Sequence, residues 1–179
     1  VRALWTTLIA LGIGTASYVL AVLNETGQRL EASALSAARF TYTPDGPLML
    51  VSNTSVIVAL IVIFVLALIR WGLARAVRVF LAPALALLLS QILKLAVLER
   101  PPLWEVDAVN TFPSGHATVY AVLIGALIWA LPPSFRGFMS VFGTALLGFV
   151  TVQILYYGWH RPSDVIGALA LSLASFGLI

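Results

Sequence analysis

The sequence predicts an all-α, polytopic membrane protein: a bundle of six transmembrane helices with an interfacial amphipathic helix between the first and the second. Three observations lead to this fold class. Hydrophobic residues make up 61% of the 179 residues, whereas soluble domains have roughly 45–50%. Charged residues make up only 9%, against roughly 25% in soluble domains. The apolar residues also gather in long windows. A soluble enzyme is excluded, because a domain of this size cannot bury so much apolar surface.

Six windows approach the length of about 20 apolar residues that a transmembrane helix needs. They are Ala3–Leu23, Leu48–Ile69, Phe80–Leu98, Ser114–Leu131, Phe138–Trp159 and Ser163–Ile179. Neither an internal repeat nor a linker interrupts them, so we interpret residues 1–179 as a single transmembrane domain. The chain has no cysteine, which excludes disulfides and thiolate metal sites.

The stretch between the first two windows, Asn24–Pro47, is too polar to span a membrane. Its apolar residues recur at helical spacing: Leu30, Ala34, Leu35 and Ala38. Polar residues lie opposite them: Arg29, Glu31, Ser36 and Arg39. This pattern predicts an amphipathic helix at the interface. The following Thr43–Pro47 has turn residues that return the chain to the bilayer.

The arginines predict the orientation in the membrane. They concentrate in the segments at one end of the windows: Arg2, Arg70, Arg75, Arg78 and Arg136. By the positive-inside rule this end is cytoplasmic. All acidic residues then fall at the extracytoplasmic end: Glu25, Glu31, Asp45, Glu99, Glu105, Asp107 and Asp164. The net charge of +3 comes without a basic run, so we expect no nucleic-acid partner.

Three ionisable residues in or beside the windows stand out, since such residues are costly in a membrane and by default functional. Lys94 is the only lysine, and His116 and His160 are the only histidines. Each has a plain structural alternative. A lysine near the end of a span can extend its amine to the interface, and a single histidine is more often a satisfied polar residue than a catalytic one.

His116 closes the run Thr111–His116 directly before an apolar window. Ser114 is a good helix N-cap, and Gly115 lets a ligand approach the backbone closely. The free amides of a helix N-terminus bind anions, phosphate above all. A histidine in that turn can exchange a proton at neutral pH. The alternative is an ordinary helix start.

His160 and Asp164 are four residues apart. Pro162 favours a short break between them, with Ser163 capping the last helix. A carboxylate that accepts a hydrogen bond from one imidazole nitrogen makes the other nitrogen a better nucleophile. The alternative is a structural pair at a helix junction.

A third cluster consists of Lys94 and Arg100. Pro101 moves Arg100 out of helical geometry, so both cations can meet one anion. Counting the predicted helices places Lys94, Arg100, Ser114–His116 and His160–Asp164 at one membrane face. This convergence predicts a phosphate site, and two histidines without further ligands make a poor metal site.

These residues resemble the type 2 phosphatidic acid phosphatase family of membrane lipid phosphate phosphatases. Its signatures are Lys, six residues, Arg-Pro; then Pro-Ser-Gly-His; then Ser-Arg, five residues, His, three residues, Asp. Residues Pro113–His116 match in full, and His160 with Asp164 ends the third signature. Two departures stand beside this match. Only five residues separate Lys94 from Arg100, and Gln153 and Ile154 occupy the Ser-Arg positions.

The resemblance implies a role for each residue. His160 attacks phosphorus and forms a phosphohistidine, Asp164 orients it, and His116 protonates the leaving oxygen and then activates water. The phosphoryl oxygens are held by a separate set: Lys94, Arg100, Ser114 and the Gly115 amide. Gln153 and Arg161 are candidates to replace the missing arginine. The family requires no metal or other cofactor.

The leading hypothesis is therefore a metal-independent hydrolase acting on a membrane lipid phosphate at the extracytoplasmic face of a bacterial plasma membrane. The candidate substrates are a polyprenyl phosphate or diphosphate, a phosphorylated polyprenyl sugar, phosphatidylglycerophosphate and phosphatidate. Two alternatives stay open: a phosphotransferase with the same site, and a non-catalytic lipid-binding or transport protein on a degenerate scaffold. The sequence does not define the oligomeric state.

Overall fold

The computed structural model describes residues 1–40, 43–104 and 109–179. Within these ranges the chain is helical and contains no strand. The helices are α1 (Arg2–Ser17), α2 (Glu25–Leu35), α3 (Asn53–Trp71), α4 (Leu73–Ile92), α5 (Gly115–Ala130), α6 (Pro133–Tyr156) and α7 (Pro162–Leu178). Wider π-helical turns extend α1 through Tyr18–Val22 and α4 through Leu93–Val97, and Gly46–Leu50 forms a short 3₁₀ turn. Two of the acidic residues predicted at the extracytoplasmic end, Glu105 and Asp107, lie outside the described residues.

Among the described residues, four helical segments are long and apolar enough to cross a membrane: Arg2–Val22, Asn53–Trp71, Leu73–Val97 and Pro133–Tyr156. They confirm the all-α membrane fold class. The helices α5 and α7 are apolar as well, but they have only 16 and 17 residues, fewer than the roughly 20 of a typical span. The count of six transmembrane helices stays a prediction.

The last helix, α7, forms the centre of the bundle and packs against α1, α4 and α5. Ten of its 17 residues are buried, most of them small. Small residues allow helices to approach closely. Large apolar side chains lie instead on the outer surface, such as Ile61 and Val141, which are 53% and 74% exposed. Small residues inside and large ones outside are what a bundle surrounded by lipid requires, because lipid solvates the large apolar side chains.

Contacts between helix ends define the two ends of the bundle. At one end, the Trp71 indole donates to the Ala130 carbonyl at 2.8 Å. The guanidinium groups of Arg75 and Arg136 lie 4.4 and 5.7 Å from the ring centroid of Trp71. At the other end, the Ser114 amide donates to the Asp164 carbonyl at 2.9 Å. The histidines and these arginines therefore lie at opposite ends.

The helix α2 follows α1 at the histidine end. Asn24 caps it by accepting hydrogen bonds from the amides of Thr26 and Gly27. Its buried residues are polar, Gln28 and Glu31, whereas Leu30 is 66% exposed. The sequence pattern predicts Glu31 on an outward polar face, and here the structure differs: the carboxylate faces inward because it has a buried cationic partner. The location of α2 at a membrane interface stays a prediction.

Candidate active site

The N-terminus of α5 contributes the first part of the site. The Ser114 hydroxyl accepts a hydrogen bond from the Ala117 amide at 3.3 Å, so Ser114 is the N-cap that the sequence predicts. A Cβ atom on Gly115 would lie 3.6 Å from Gln91 Nε2 and 3.9 Å from Lys94 Nζ. The lysine amine therefore lies beside the first turn of α5. A cation and free helix amides meet here, which is the chemistry that an anion requires.

The second part is the carboxylate of Asp164, which is fully buried in the first turn of α7. Its Oδ2 lies 3.2 Å from His160 Nδ1 and accepts hydrogen bonds from the Thr111 hydroxyl at 2.6 Å and the Arg161 amide at 2.9 Å. An ionised carboxylate only accepts hydrogen bonds, so Nδ1 donates and the lone pair of His160 lies on Nε2. Such an imidazole is oriented for nucleophilic attack.

The start of α7 corrects one prediction. The sequence predicts Ser163 as the cap, but the helix begins at Pro162, and the Arg161 amide is satisfied by Asp164. Proline is suited to this first position because it has no amide hydrogen to satisfy. The Asp164 carboxylate thus has two roles: it caps the N-terminus of α7 by accepting from the Arg161 amide, and it holds His160.

His116 and His160 lie close together, with ring centroids 6.4 Å apart. The Trp159 ring lies 5.4 Å from the His116 ring. Both histidines line one cavity of about 850 Å³ between α3, α4 and α5. Its wall consists of Val51, Ser52, Asn53, Val56, Ile57, Leu60, Leu87, Gln91, Lys94, Gly115, His116, Val119 and His160. Leu60 lies about two helical turns from Asn53 along α3, and Leu87 lies about two turns from Lys94 along α4, so both are deeper in the bundle. The cavity can therefore hold a phosphoryl group and part of an apolar chain.

Two predicted site arginines lie beside this cavity rather than in its wall. The Arg100 guanidinium is buried, and its Nη2 donates to Glu31 Oε2 at 2.9 Å. Arg161 is also buried, and its Nη1 donates to the Thr111 hydroxyl at 3.4 Å. Thr111 thus joins Arg161 to the carboxylate that holds His160.

Gln153 and Ile154 have other surroundings. Gln153 Nε2 donates to the backbone carbonyl of Asp45 at 3.1 Å, to the Asp45 carboxylate and to the Tyr157 hydroxyl at 3.3 Å. The Tyr157 hydroxyl donates to the same carboxylate, which raises the pKa of Tyr157 because the bond favours the neutral phenol. Ile154 is fully buried in an apolar cluster with Leu48 and Val150. Neither Gln153 nor Ile154 lines the cavity of the histidines.

Sequence reasoning missed four residues around the site. Gln91 lines the cavity, and its sequence signal is a polar residue within an apolar window, three positions before Lys94 and so on the same helix face. Thr111 begins the run that ends at His116. Asn110 Nδ2 donates to the carbonyls of Lys94 at 3.2 Å and Leu98 at 2.8 Å, at the end of α4. Glu31 is 69 residues from Arg100, and no local pattern indicates their pairing.

Across residues 1–40, 43–104 and 109–179, no three His, Asp or Glu side chains come close enough together to hold a metal ion.

A family model described as the PAP2 superfamily matches residues 75–179, which is more than half of the chain. The matched range contains Lys94, Arg100, both histidines and Asp164, and it excludes α1, α2 and α3. No curated protein and no solved structure matches the chain.

Proposed function

The chain belongs to the PAP2 superfamily, and on that premise we propose that it is an integral membrane lipid phosphatase. It removes a phosphoryl group from a membrane lipid through a phosphohistidine intermediate. The observation that carries the proposal is the hydrogen bond between His160 Nδ1 and the buried Asp164 carboxylate, on the wall of a cavity that also contains His116 and Lys94.

In the first half-reaction, His160 Nε2 attacks phosphorus and the bond from phosphorus to the lipid oxygen breaks. His116 donates a proton to that oxygen, so a phosphomonoester releases the lipid alcohol and a diphosphate releases the lipid monophosphate. Asp164 stabilises the positive charge that develops on the His160 ring, as the carboxylate of a triad does. In the second half-reaction, His116 takes a proton from water, the water oxygen attacks phosphorus, and the bond between phosphorus and nitrogen breaks.

The phosphoryl oxygens bind to Lys94 and to the first turn of α5, where Ser114 and the Gly115 amide lie. Arg100 adds a second cation, because Nε and Nη1 of its buried side chain have no hydrogen-bond partner among the described residues. Arg161 is the candidate for the charge that Ile154 does not supply, since its side chain reaches Thr111. Gln153 would contact phosphate only by leaving Asp45 and Tyr157.

The surroundings of the site support a lipid substrate. The cavity continues from the histidines to apolar residues on α3 and α4, and large apolar side chains cover the outside of the bundle. We propose that α5 and α7 complete six transmembrane helices, that α2 lies at the interface, and that the site faces the extracytoplasmic side of a bacterial plasma membrane. Suitable substrates are a polyprenyl phosphate or diphosphate, a phosphorylated polyprenyl sugar, phosphatidylglycerophosphate and phosphatidate.

The test is the release of inorganic phosphate from these lipids by the purified protein in detergent, with His160→Ala as the inactive control. Release by the wild type, together with a covalent phosphoenzyme that His160→Ala lacks, would support the proposal. Label that passes to a lipid or sugar acceptor instead of water would show a phosphotransferase. The absence of both phosphate release and a phosphoenzyme with every lipid tested would overturn the proposal and favour a lipid-binding or transport protein.

A further inference from the structure

Glu31 is a buried acidic residue, and the family match does not explain its burial. It lies on α2, outside the matched residues 75–179, and only 5% of its surface is exposed. A buried carboxylate is costly unless it is paired and hydrogen-bonded. Its contacts therefore indicate what this residue does.

Both carboxylate oxygens of Glu31 bind residues of the site. Oε2 accepts a hydrogen bond from Arg100 Nη2 at 2.9 Å, and Oε1 accepts one from the Ser163 amide at 2.9 Å. Ser163 precedes Asp164 in the first turn of α7, where backbone amides have no partner within the helix. One carboxylate thus holds a phosphate-binding cation and the helix turn that orients the nucleophile.

Gln28 strengthens this link, because it lies three residues before Glu31 on the same face of α2. Its Nε2 donates to the Pro101 carbonyl at 2.8 Å, and its Oε1 accepts from the Trp104 amide at 3.0 Å. The Arg29 guanidinium lies 4.6 Å from the centroid of the Trp104 ring. The segment from Arg100 to Trp104 is therefore held along its length by α2.

We infer that Glu31 is a positioning residue for phosphoryl binding, acting through Arg100. Its carboxylate fixes one nitrogen of the guanidinium and leaves Nε and Nη1 for the phosphoryl oxygens. This inference rests on the proposed phosphatase function. It assigns a role in the reaction to α2, a helix that carries no residue of the family signatures.

The experiment measures KM, kcat and inhibition by inorganic phosphate for wild type, Glu31→Gln and Glu31→Asp. The glutamine keeps an acceptor for the Ser163 amide but removes the charge that holds Arg100. We expect KM and the inhibition constant of phosphate to rise roughly tenfold in Glu31→Gln, the effect of misaligning one charge-assisted hydrogen bond, while kcat changes much less. Glu31→Asp restores the charge and is expected to recover part of the affinity.

Two further variants separate positioning from a general loss of structure. Glu25→Gln makes the same change at an exposed position of the same helix and should leave KM unchanged. The double variant Glu31→Gln/Arg100→Gln leaves no lone buried charge. If Glu31 acts through Arg100, Glu31→Gln adds no further increase in KM to that of Arg100→Gln.

The outcomes distinguish the two proposals. A wild type that hydrolyses no lipid phosphate overturns the proposed function and this inference with it. An active wild type whose Glu31→Gln variant keeps KM and the phosphate inhibition constant overturns the inference alone. The inference is also overturned if Glu31→Gln raises KM by the same factor in the Arg100→Gln variant as in the wild type. If Glu31→Gln does not fold, the double variant decides: a KM clearly above that of Arg100→Gln overturns the inference.

Discussion

Replacement of Asp164 by asparagine tests the charge that holds His160. The Thr111 hydroxyl and the Arg161 amide both donate to Oδ2, so the asparagine is expected to place its carbonyl oxygen there. The imidazole then keeps its orientation and loses only the negative charge beside it. Two unit charges about 4 Å apart interact by about 4 kcal/mol at an effective dielectric constant of about 20, which corresponds to about a 10³-fold slower formation of the phosphoenzyme.

Thr111→Val provides the comparison, because it deletes one hydrogen bond to the same oxygen and leaves the charge in place. A hydrogen bond to a charged group is worth about 1.5 kcal/mol at the lower end of its range, so the rate should fall only about tenfold. Both rates are measured by rapid quench with a labelled lipid phosphate under single-turnover conditions. Ser172→Ala is the control, since its buried hydroxyl lies on α7 but donates only to the Ala168 carbonyl at 2.7 Å. A loss of tenfold or less in folded Asp164→Asn, or an equal loss in Thr111→Val, would refute the reasoning.

Three other predictions concern the acid, metals and orientation. His116→Ala should slow lipid substrates about 10²–10⁴-fold as general-acid loss does, yet spare aryl phosphates whose phenolate leaves without a proton; equal loss on both would contradict its role. Activity should survive EDTA, because the nucleophile is an imidazole and the cations are Lys94 and Arg100; activity lost in EDTA and restored by magnesium or zinc would disprove this. Because the chain has no cysteine, Glu25→Cys and Arg78→Cys can be labelled singly on intact cells with an impermeant maleimide. We expect Glu25→Cys to react, and preferential reaction of Arg78→Cys would invert the orientation.

Features that depend on neighbours in the sequence were predictable. The Ser114 cap follows from a serine directly before an apolar run, and the structure confirms it. The long apolar windows are likewise helices, because a segment surrounded by lipid must satisfy its own backbone hydrogen bonds. The prediction of Ser163 as the cap of α7 was wrong by two residues, since the observed cap is Arg161. Proline and serine both favour the start of a helix, and the sequence does not rank them.

Features that depend on distant pairs were not predictable. The pattern of α2 assigns Glu31 to a polar outer face, since an amphipathic helix normally exposes its charges. Only the fold shows that Arg100 lies on the inner side, 69 residues later in the chain. The same holds for Gln28, whose partners Pro101 and Trp104 are brought to it by the end of α4.

Gln153 and Ile154 stand where the third family signature has Ser-Arg, and their surroundings explain this difference. These surroundings also bear on the role of Glu31. Ile154 is fully buried among apolar side chains, where an arginine would be a buried charge without compensation. Its neighbour Gln153 holds Asp45 instead of facing the histidines. In the proposed mechanism, the cations that bind the phosphoryl oxygens are then Lys94, Arg100 and Arg161. With fewer cations available, the alignment of each one matters more, and a carboxylate that fixes Arg100 becomes more important to this chain than to one that has the arginine of the third signature.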